Sequence, residues 1–416
     1  MLKIDFIKKC TTILLFLNVF IIETMFRQRD FTDKSIDFQV IMKMGLWVVT
    51  FCFCIFFYRL WLKKLLRIDN VFQIFLLIMI FISSFYAPNL LYSLAAVFSL
   101  LTVFSLLFLS SSVLSNREII LQIIMGCTLV MAISIIVYYV NPDFGRMKDW
   151  YGNLHLPGKR MIGIAGSANT VGYISAMCLM ALYYYREYLP RPLPLTYWAF
   201  VAINVFALAM SDSRTSVVAL IASITVAGIQ KLSPPRLTAF FGLICLTIFF
   251  FAAVDLDVLF ALLSRSGDPN EIATGTGRTE IWRVVIRLIS ERPFFGWGYG
   301  SSTFILPAES MAIGETVSSA HNAVLQVLLT VGFVGLFFFL MVMGTKIYYS
   351  FRSREPVNIA FVTFLVIDGL TESIAFQGIA TTTTLMLATV LALNYRNYDE
   401  TVDSAYQQRL PGSAAA

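Results

Sequence analysis

The 416-residue chain is 58% hydrophobic and 13% charged, with a mean hydropathy of +0.76. These proportions exclude an ordinary soluble domain, in which about a quarter of residues are charged, and imply an integral membrane protein. The formal net charge of +6 is spread along the loops, so it speaks of membrane orientation and anionic headgroups rather than of nucleic acid.

Apolar runs long enough for a hydrocarbon core of about 30 Å recur near 10–25, 40–58, 71–86, 90–110, 117–140, 161–185, 196–211, 215–230, 237–254, 321–349, 357–373 and 378–395. The expected fold class is therefore all-α, a polytopic membrane protein of about twelve transmembrane helices. The first run follows Lys8 and Lys9 without a small-residue cleavage site and is read as a retained helix. Six cysteines, Cys10, Cys52, Cys54, Cys127, Cys178 and Cys245, fall in or beside spans and read as packing residues, not as a disulfide or zinc framework.

Counting loops from a cytoplasmic N-terminus places Arg59, Lys63, Lys64, Arg67, Arg117, Arg186, Lys346 and Arg352 inside, as the positive-inside bias asks, and makes the C-terminus cytoplasmic. Two outer stretches break that bias. Residues 141–160 carry Arg146, Lys148, Lys159 and Arg160, and residues 255–320 carry Arg265, Arg278, Arg283, Arg287 and Arg292. Topology does not account for these outer cations, which makes them candidates for holding an anion.

In the first of these stretches His155 shows no partner in sequence and reads as structural. "KRMIGIAGSANTVG" then enters the next span from Lys159 with several glycines and Asn169, a composition that permits close helix packing or a helix broken around a ligand. Arg160 at its start is placed to meet a phosphate.

Arg214 lies in "SDSRTS", a tight turn between two apolar runs. A guanidinium there either pairs with Asp212 while Ser and Thr cap the next helix, or holds a ligand anion at a helix start.

The long outer stretch 255–320 contains "GRTEIWRVVIRLIS" from Gly277, which places Ile281, Val284, Val285, Leu288 and Ile289 on one helical face. This predicts an amphipathic helix lying on the membrane surface, stopped by Pro293. Arg278 follows "TGTG" at its start, where backbone N–H groups and a bidentate guanidinium suit a phosphate, or where the helix start is simply solvated. Glu280 and Glu291 lie three and four residues from Arg283 and Arg287, so those arginines, with Arg292, read as structural or headgroup-binding.

"SSAHNAVLQVLL" closes the stretch, and Ser318 or Ser319 as N-cap would put His321 in the first helical turn at the outer interface. A neutral imidazole there can accept a proton as a general base; the plainer reading is an interfacial hydrogen-bonding histidine. No repeat or linker divides the chain. Residues 1–410 are read as one membrane domain and 411–416, ending in GSAAA, as a tag remnant.

"SDSRTS", "TGRTEIW", "RPFFGWGYG" and "HNAVLQVLLTVGFVGL", in this order on about twelve helices, resemble the O-antigen ligase and Wzy-type polymerase superfamily. The resemblance covers nearly the whole topology and is most specific between Arg214 and Leu336. It implies a GT-C-like glycosyltransferase of the bacterial inner membrane, with one long periplasmic loop and a periplasmic active site. The donor implied is an undecaprenyl-pyrophosphate-linked oligosaccharide, used without metal, nucleotide sugar or other cofactor.

By the motif match, Arg214 and Arg278 correspond to pyrophosphate-binding arginines and His321 to the essential histidine; Arg160, Asn169 and Asn322 are read beside them as further candidate pyrophosphate or glycan contacts. An in-line attack by the acceptor hydroxyl would invert the linkage. "TGRTEIW" followed by "RPFFGWGYG" favours polymerisation of O-antigen or exopolysaccharide repeats, with a flippase and a chain-length regulator as partners. Ligation of the glycan to lipid A core is the alternative. A lipid-linked sugar flippase would use outer arginines only to hold headgroups, and needs matching cation sites inside. A metal-dependent oligosaccharyltransferase would draw on Asp30, Asp33 or Asp37, or on the Asp255–Asp257 pair, and would lose activity with chelator.

Overall fold

A computed structural model describes residues 2–27, 37–151, 154–190, 192–229, 278–352, 356–373 and 376–393. Helices Leu2–Glu23, Phe38–Phe56, Val71–Ser83, Leu90–Val113, Asn116–Val140, Ala168–Tyr185, Leu195–Ser211 and Arg214–Ile229 precede the long outer stretch, and Ala323–Arg352, Pro356–Gly369 and Thr382–Ala392 follow it. Each overlaps one of the apolar runs. Four of them, Phe38–Phe56, Leu90–Val113, Asn116–Val140 and Ala323–Arg352, are long and apolar enough to cross a membrane. The run near 237–254 and the "TGTG" segment lie outside the described residues.

The bundle is organised around Leu90–Val113, which is buried on almost every side despite six serines and threonines in its interior-facing positions. Hydroxyls bonded back to their own helix make that possible: Ser99 Oγ donates to Ala96 O at 2.8 Å, Thr102 Oγ1 to Phe98 O at 2.8 Å and Ser111 Oγ to Phe108 O at 3.0 Å. Small side chains then let neighbouring helices approach closely. At the far end of the bundle from His321, the Nζ atoms of Lys64 and Lys346 donate to Ala392 O and Leu391 O at 2.8 and 2.9 Å, closing the C-terminus of Thr382–Ala392.

Two expectations for the outer side need correction. Residues 141–160 hold an antiparallel hairpin, β1 (Arg146–Tyr151) paired with β2 (Leu154–Met161), with His155 opposite Trp150. The Gly152–Asn153 dipeptide between the strands is a two-residue hairpin signal that the charge-based reading passed over. The span expected from residue 161 begins at Ala168 instead, because Gly163 and Gly166 adopt positive φ of 50° and 75°. Gly163 lies against Ser134, where a Cβ would meet Ser134 Cβ at 2.2 Å, and Ser134 Oγ accepts from Ile164 N at 3.1 Å.

The amphipathic helix forms over Arg278–Glu291 and buries the face read from the sequence: Ile281, Val284, Val285, Leu288 and Ile289. Protein, not lipid, covers that face. Leu306, Ile313, Val317, Ala320 and Leu329 join it in a second hydrophobic core, separate from the core of the bundle.

The long helix Ala323–Arg352 links the two cores, and it is broken at Gly332, where φ is 66° and ψ is −167°. The loop "RPFFGWG" supplies the hydrogen bonds that the break frees. Trp297 N and Gly298 N donate to Leu329 O and Thr330 O, each at 2.8 Å, while Phe333 N donates to Pro293 O at 2.8 Å. An added Cβ at Gly332 would meet the backbone of Phe294 at 2.3 Å, on top of the positive φ. Gly332→Ala is therefore expected to destabilise the protein by about 3 kcal/mol or more. Gly344→Ala, where nothing lies within 4 Å, is the matched control, and thermal melting in detergent compares the two.

Candidate active site

The site is built where the outer core meets the bundle, around one carboxylate that sequence reading passed over. Helix Pro356–Gly369 ends in a turn whose last residue, Glu372, donates its N–H to Asp368 O at 2.8 Å. Glu372 Oε1 accepts from Arg278 Nη2 and from Asn169 Nδ2, both at 2.8 Å. Its Oε2 faces His321 Nδ1 at 3.1 Å. Asn169 Oδ1 in turn accepts from Arg160 Nη2 at 3.0 Å, and Arg160 Nε donates to Ser211 O at 3.0 Å. A continuous polar path thus runs from the Ser211 turn through Arg160, Asn169 and Glu372 to both Arg278 and His321.

His321 is held by its neighbours rather than by a helix. The helix starts two residues later, at Ala323, with Asn322 Oδ1 accepting from Leu325 N at 3.0 Å, so Asn322, not Ser318 or Ser319, caps it. His321 itself has φ of 47°, a left-handed conformation that a side-chain-bearing residue keeps only when its surroundings fix it. They do: Trp282 Nε1 donates to Ala320 O at 3.0 Å, Ala320 N donates to Gln326 Oε1 at 2.9 Å, and Asn322 Nδ2 donates to Leu370 O at 2.9 Å. An ionised carboxylate can only accept, so the Nδ1 facing Glu372 carries the proton and Nε2 is left to act as acceptor.

Burial by itself would raise the pKa of Glu372. The hydrogen bond from His321, the Arg278 charge and the Asn169 amide outweigh it and hold the carboxyl below its ordinary value.

Arg278 and the other cations of its helix differ in kind. The Arg278 side chain is 16% exposed and meets Glu372 across the two cores, whereas Arg283 is 73% exposed and pairs with Glu280, and Arg287 is 53% exposed and pairs with Glu309. The expected Arg287–Glu291 pair is replaced by this cross-element one. Arg292 lies over the Trp297 ring at 4.1 Å. Arg283→Ala and Arg287→Ala should each leave activity within about threefold of wild type, since exposed ion pairs contribute about 0.2–1 kcal/mol. Arg278→Lys should be nearly as damaging as Arg278→Ala, because an ammonium cannot reproduce a planar fork of donors; turnover of the purified variants ranks all four.

Arg214 heads helix Arg214–Ile229, three residues beyond the Ser211 carbonyl that Arg160 holds, and Asp212 before it has a left-handed φ of 49°. Asp37 is committed to capping Phe38–Phe56, accepting from Val40 N at 3.0 Å; Asp30, Asp33, Asp255 and Asp257 lie outside the described residues. Among the described residues no three His, Cys, Asp or Glu side chains are grouped to hold a metal ion.

A cavity of about 360 Å³ opens beside His321 and Glu372 and is lined also by Glu23, Asn169, Tyr173 and Asp368. Sequence reasoning missed Glu23, Asp368 and Glu372. The signal was present: a carboxylate inside or at the end of an apolar run is costly unless it has a role.

Residues 198–340 match the family model described as O-antigen ligase, a stretch that contains Arg214, Arg278, His321 and Asn322. Over that stretch the chain is similar to the O-antigen ligase family. Along its length it is 28% identical over 262 residues to an O-antigen ligase of Pseudomonas aeruginosa, covering 61% of this chain and 57% of that protein. It is 25% identical over 173 residues to a ComP-specific O-oligosaccharyltransferase of Acinetobacter baylyi, covering 39% of this chain and 31% of that one. The chain thus matches about a third to somewhat over half of the length of these relatives. Arg160, Asn169, Asp368 and Glu372 fall outside the matched ligase-family stretch and are joined to it only by the fold.

Proposed function

We propose that this protein transfers a glycan from a lipid-linked pyrophosphate donor to a sugar hydroxyl. The observation that carries the proposal is the convergence of Arg278 and His321 of the ligase-family domain on the single carboxylate of Glu372. His321 Nε2 removes the proton of the acceptor hydroxyl, whose oxygen forms a bond to the anomeric carbon as the bond from that carbon to pyrophosphate breaks. Undecaprenyl pyrophosphate leaves, its developing charge met by the guanidinium of Arg278 and, by the motif match, by that of Arg214. Attack opposite the leaving group inverts the anomeric centre. Glu372 orients the ring and stabilises the imidazolium that forms, the role a carboxylate has beside a catalytic histidine elsewhere.

The proposed setting is an inner-membrane bundle of about twelve helices of GT-C type, with both termini cytoplasmic and the site on the periplasmic face. The motif order favours a second lipid-linked repeat as acceptor. The Pseudomonas aeruginosa relative, named an O-antigen ligase, favours lipid A core instead.

Purified protein in lipid nanodiscs, given an undecaprenyl-pyrophosphate-linked repeat together with either acceptor, tests the proposal. Longer lipid-linked glycan identifies a polymerase, glycosylated core identifies a ligase, and transfer to neither rejects the reading. Guanidinium groups suffice for the leaving-group charge in this scheme, so EDTA should leave the rate unchanged; loss of transfer restored by magnesium would move the chemistry to the acidic residues.

A further inference from the structure

The cavity beside His321 does not have the charge of a pyrophosphate site. Its described lining includes Glu23, Glu315, Asp368 and Glu372 and contains no arginine or lysine. Arg278 bonds Glu372 Oε1 but is not itself among the residues that line the chamber. A doubly charged donor group belongs with the cation.

Two of the lining residues carry buried polar groups that are left unbonded among the described residues. Asp368 is 1% exposed, and neither of its carboxyl oxygens has a hydrogen-bond partner among the described residues. The Tyr173 hydroxyl, on a side chain 2% exposed, is also without a partner. Buried polar atoms left unbonded are destabilising, and natural structures keep them where a ligand or ordered water completes them. The volume of about 360 Å³ lies within the range of small-molecule sites.

We infer that this chamber is the acceptor subsite: it seats the sugar ring that carries the attacking hydroxyl, with Asp368 and Tyr173 bonding the hydroxyls next to it. The inference rests on the glycan-transfer reading above and adds to it a place and a chemistry for the second substrate. A neutral polyol suits a wall of carboxyl, amide and hydroxyl groups that brings no arginine or lysine of its own to a pyrophosphate. Entering from the chamber, its hydroxyl meets His321, which is part of the lining. Both candidate acceptors, lipid-linked repeat and lipid A core, present such a ring.

The test uses the full-length protein in nanodiscs, with Asp368→Asn and Tyr173→Phe, an undecaprenyl-pyrophosphate-linked repeat as donor, and the two acceptors in separate arms. Asp368→Asn is expected to raise the acceptor KM by about ten- to hundredfold in whichever arm wild type is active, and Tyr173→Phe by about three- to tenfold. Turnover at saturating acceptor and donor-lipid binding should stay within about twofold, since neither side chain hydrogen-bonds Arg278 among the described residues. An unchanged acceptor KM overturns the inference and leaves a water-filled chamber; so does donor binding that weakens in step with KM. Should Asp368→Asn not accumulate, Tyr173→Phe decides alone. If wild type transfers to neither acceptor, the functional reading fails on its own, and the subsite is judged by titrating the free repeat oligosaccharide: binding by wild type that Asp368→Asn loses supports it, and equal binding by both, or none by wild type, overturns it.

Discussion

Glu372→Gln should lower transfer by up to about 10⁴-fold, the loss seen when the carboxylate behind a catalytic histidine becomes an amide. Glu372 takes hydrogen bonds from Arg278 and Asn169 on one oxygen and faces His321 Nδ1 with the other. An amide in its place presents an NH₂ group to one side of that arrangement. Turned towards the ring, it donates to Nδ1 and drives the proton to Nε2, where the base has to be empty. Turned the other way, it sets the NH₂ against Arg278 and Asn169 and breaks the clasp between the outer core and the bundle. A rate loss with unchanged donor-lipid binding identifies the first case, and a lowered melting temperature the second; wild-type turnover with neither change removes Glu372 from the mechanism. The clasp also has a pH signature. Because the carboxyl is held below its ordinary value in the folded protein, its stabilising contribution is fully present above the unfolded carboxylate pKa of about 4.3 and is lost as pH falls through the lowered folded value.

His321→Gln should stop transfer, by about 10²–10⁴-fold, while donor lipid still binds. Glutamine can keep a hydrogen bond to Glu372 and occupy similar space, but an amide does not take up a proton near neutral pH. The variant therefore separates a base from a residue that only packs. Single-turnover transfer paired with donor-lipid binding is the measurement. Near-normal transfer removes the base role, and lost binding places His321 in the donor site. A helix start would have tolerated the substitution easily; the left-handed φ of 47° at this position does not favour glutamine, so a melting curve accompanies the kinetics.

The sequence made the helical architecture legible because hydrocarbon thickness dictates run length, and the apolar runs overlap the described helices from Leu2–Glu23 to Thr382–Ala392. Periodicity also named the buried face of Arg278–Glu291 residue by residue, but not its partner. An apolar stripe looks the same whether lipid or protein covers it, and the cover, Leu306 to Leu329, comes from irregular and helical segments with no distinctive pattern. Arg278 and His321 could be singled out as charge and titratable chemistry in apolar surroundings. Glu372 could not, for it lies 51 residues from His321 and 94 from Arg278, and only the fold supplies the meeting. The cap of the His321 helix was misread for a local reason: two serines precede the histidine, and the asparagine after it does the capping.

The break at Gly332 lets one continuous stretch of chain answer to two masters. Inward of it, residues up to Arg352 must match the thickness and tilt that lipid imposes. Outward of it, the carbonyls of Leu329 and Thr330 are bound to Trp297 and Gly298 rather than to the next helical turn, so the outer piece keeps its shape from the loop beside it. Residues on the inner side can drift with the thickness of the membrane without retuning the geometry around the histidine, and the outer side can be reshaped around its site without re-fitting the bilayer.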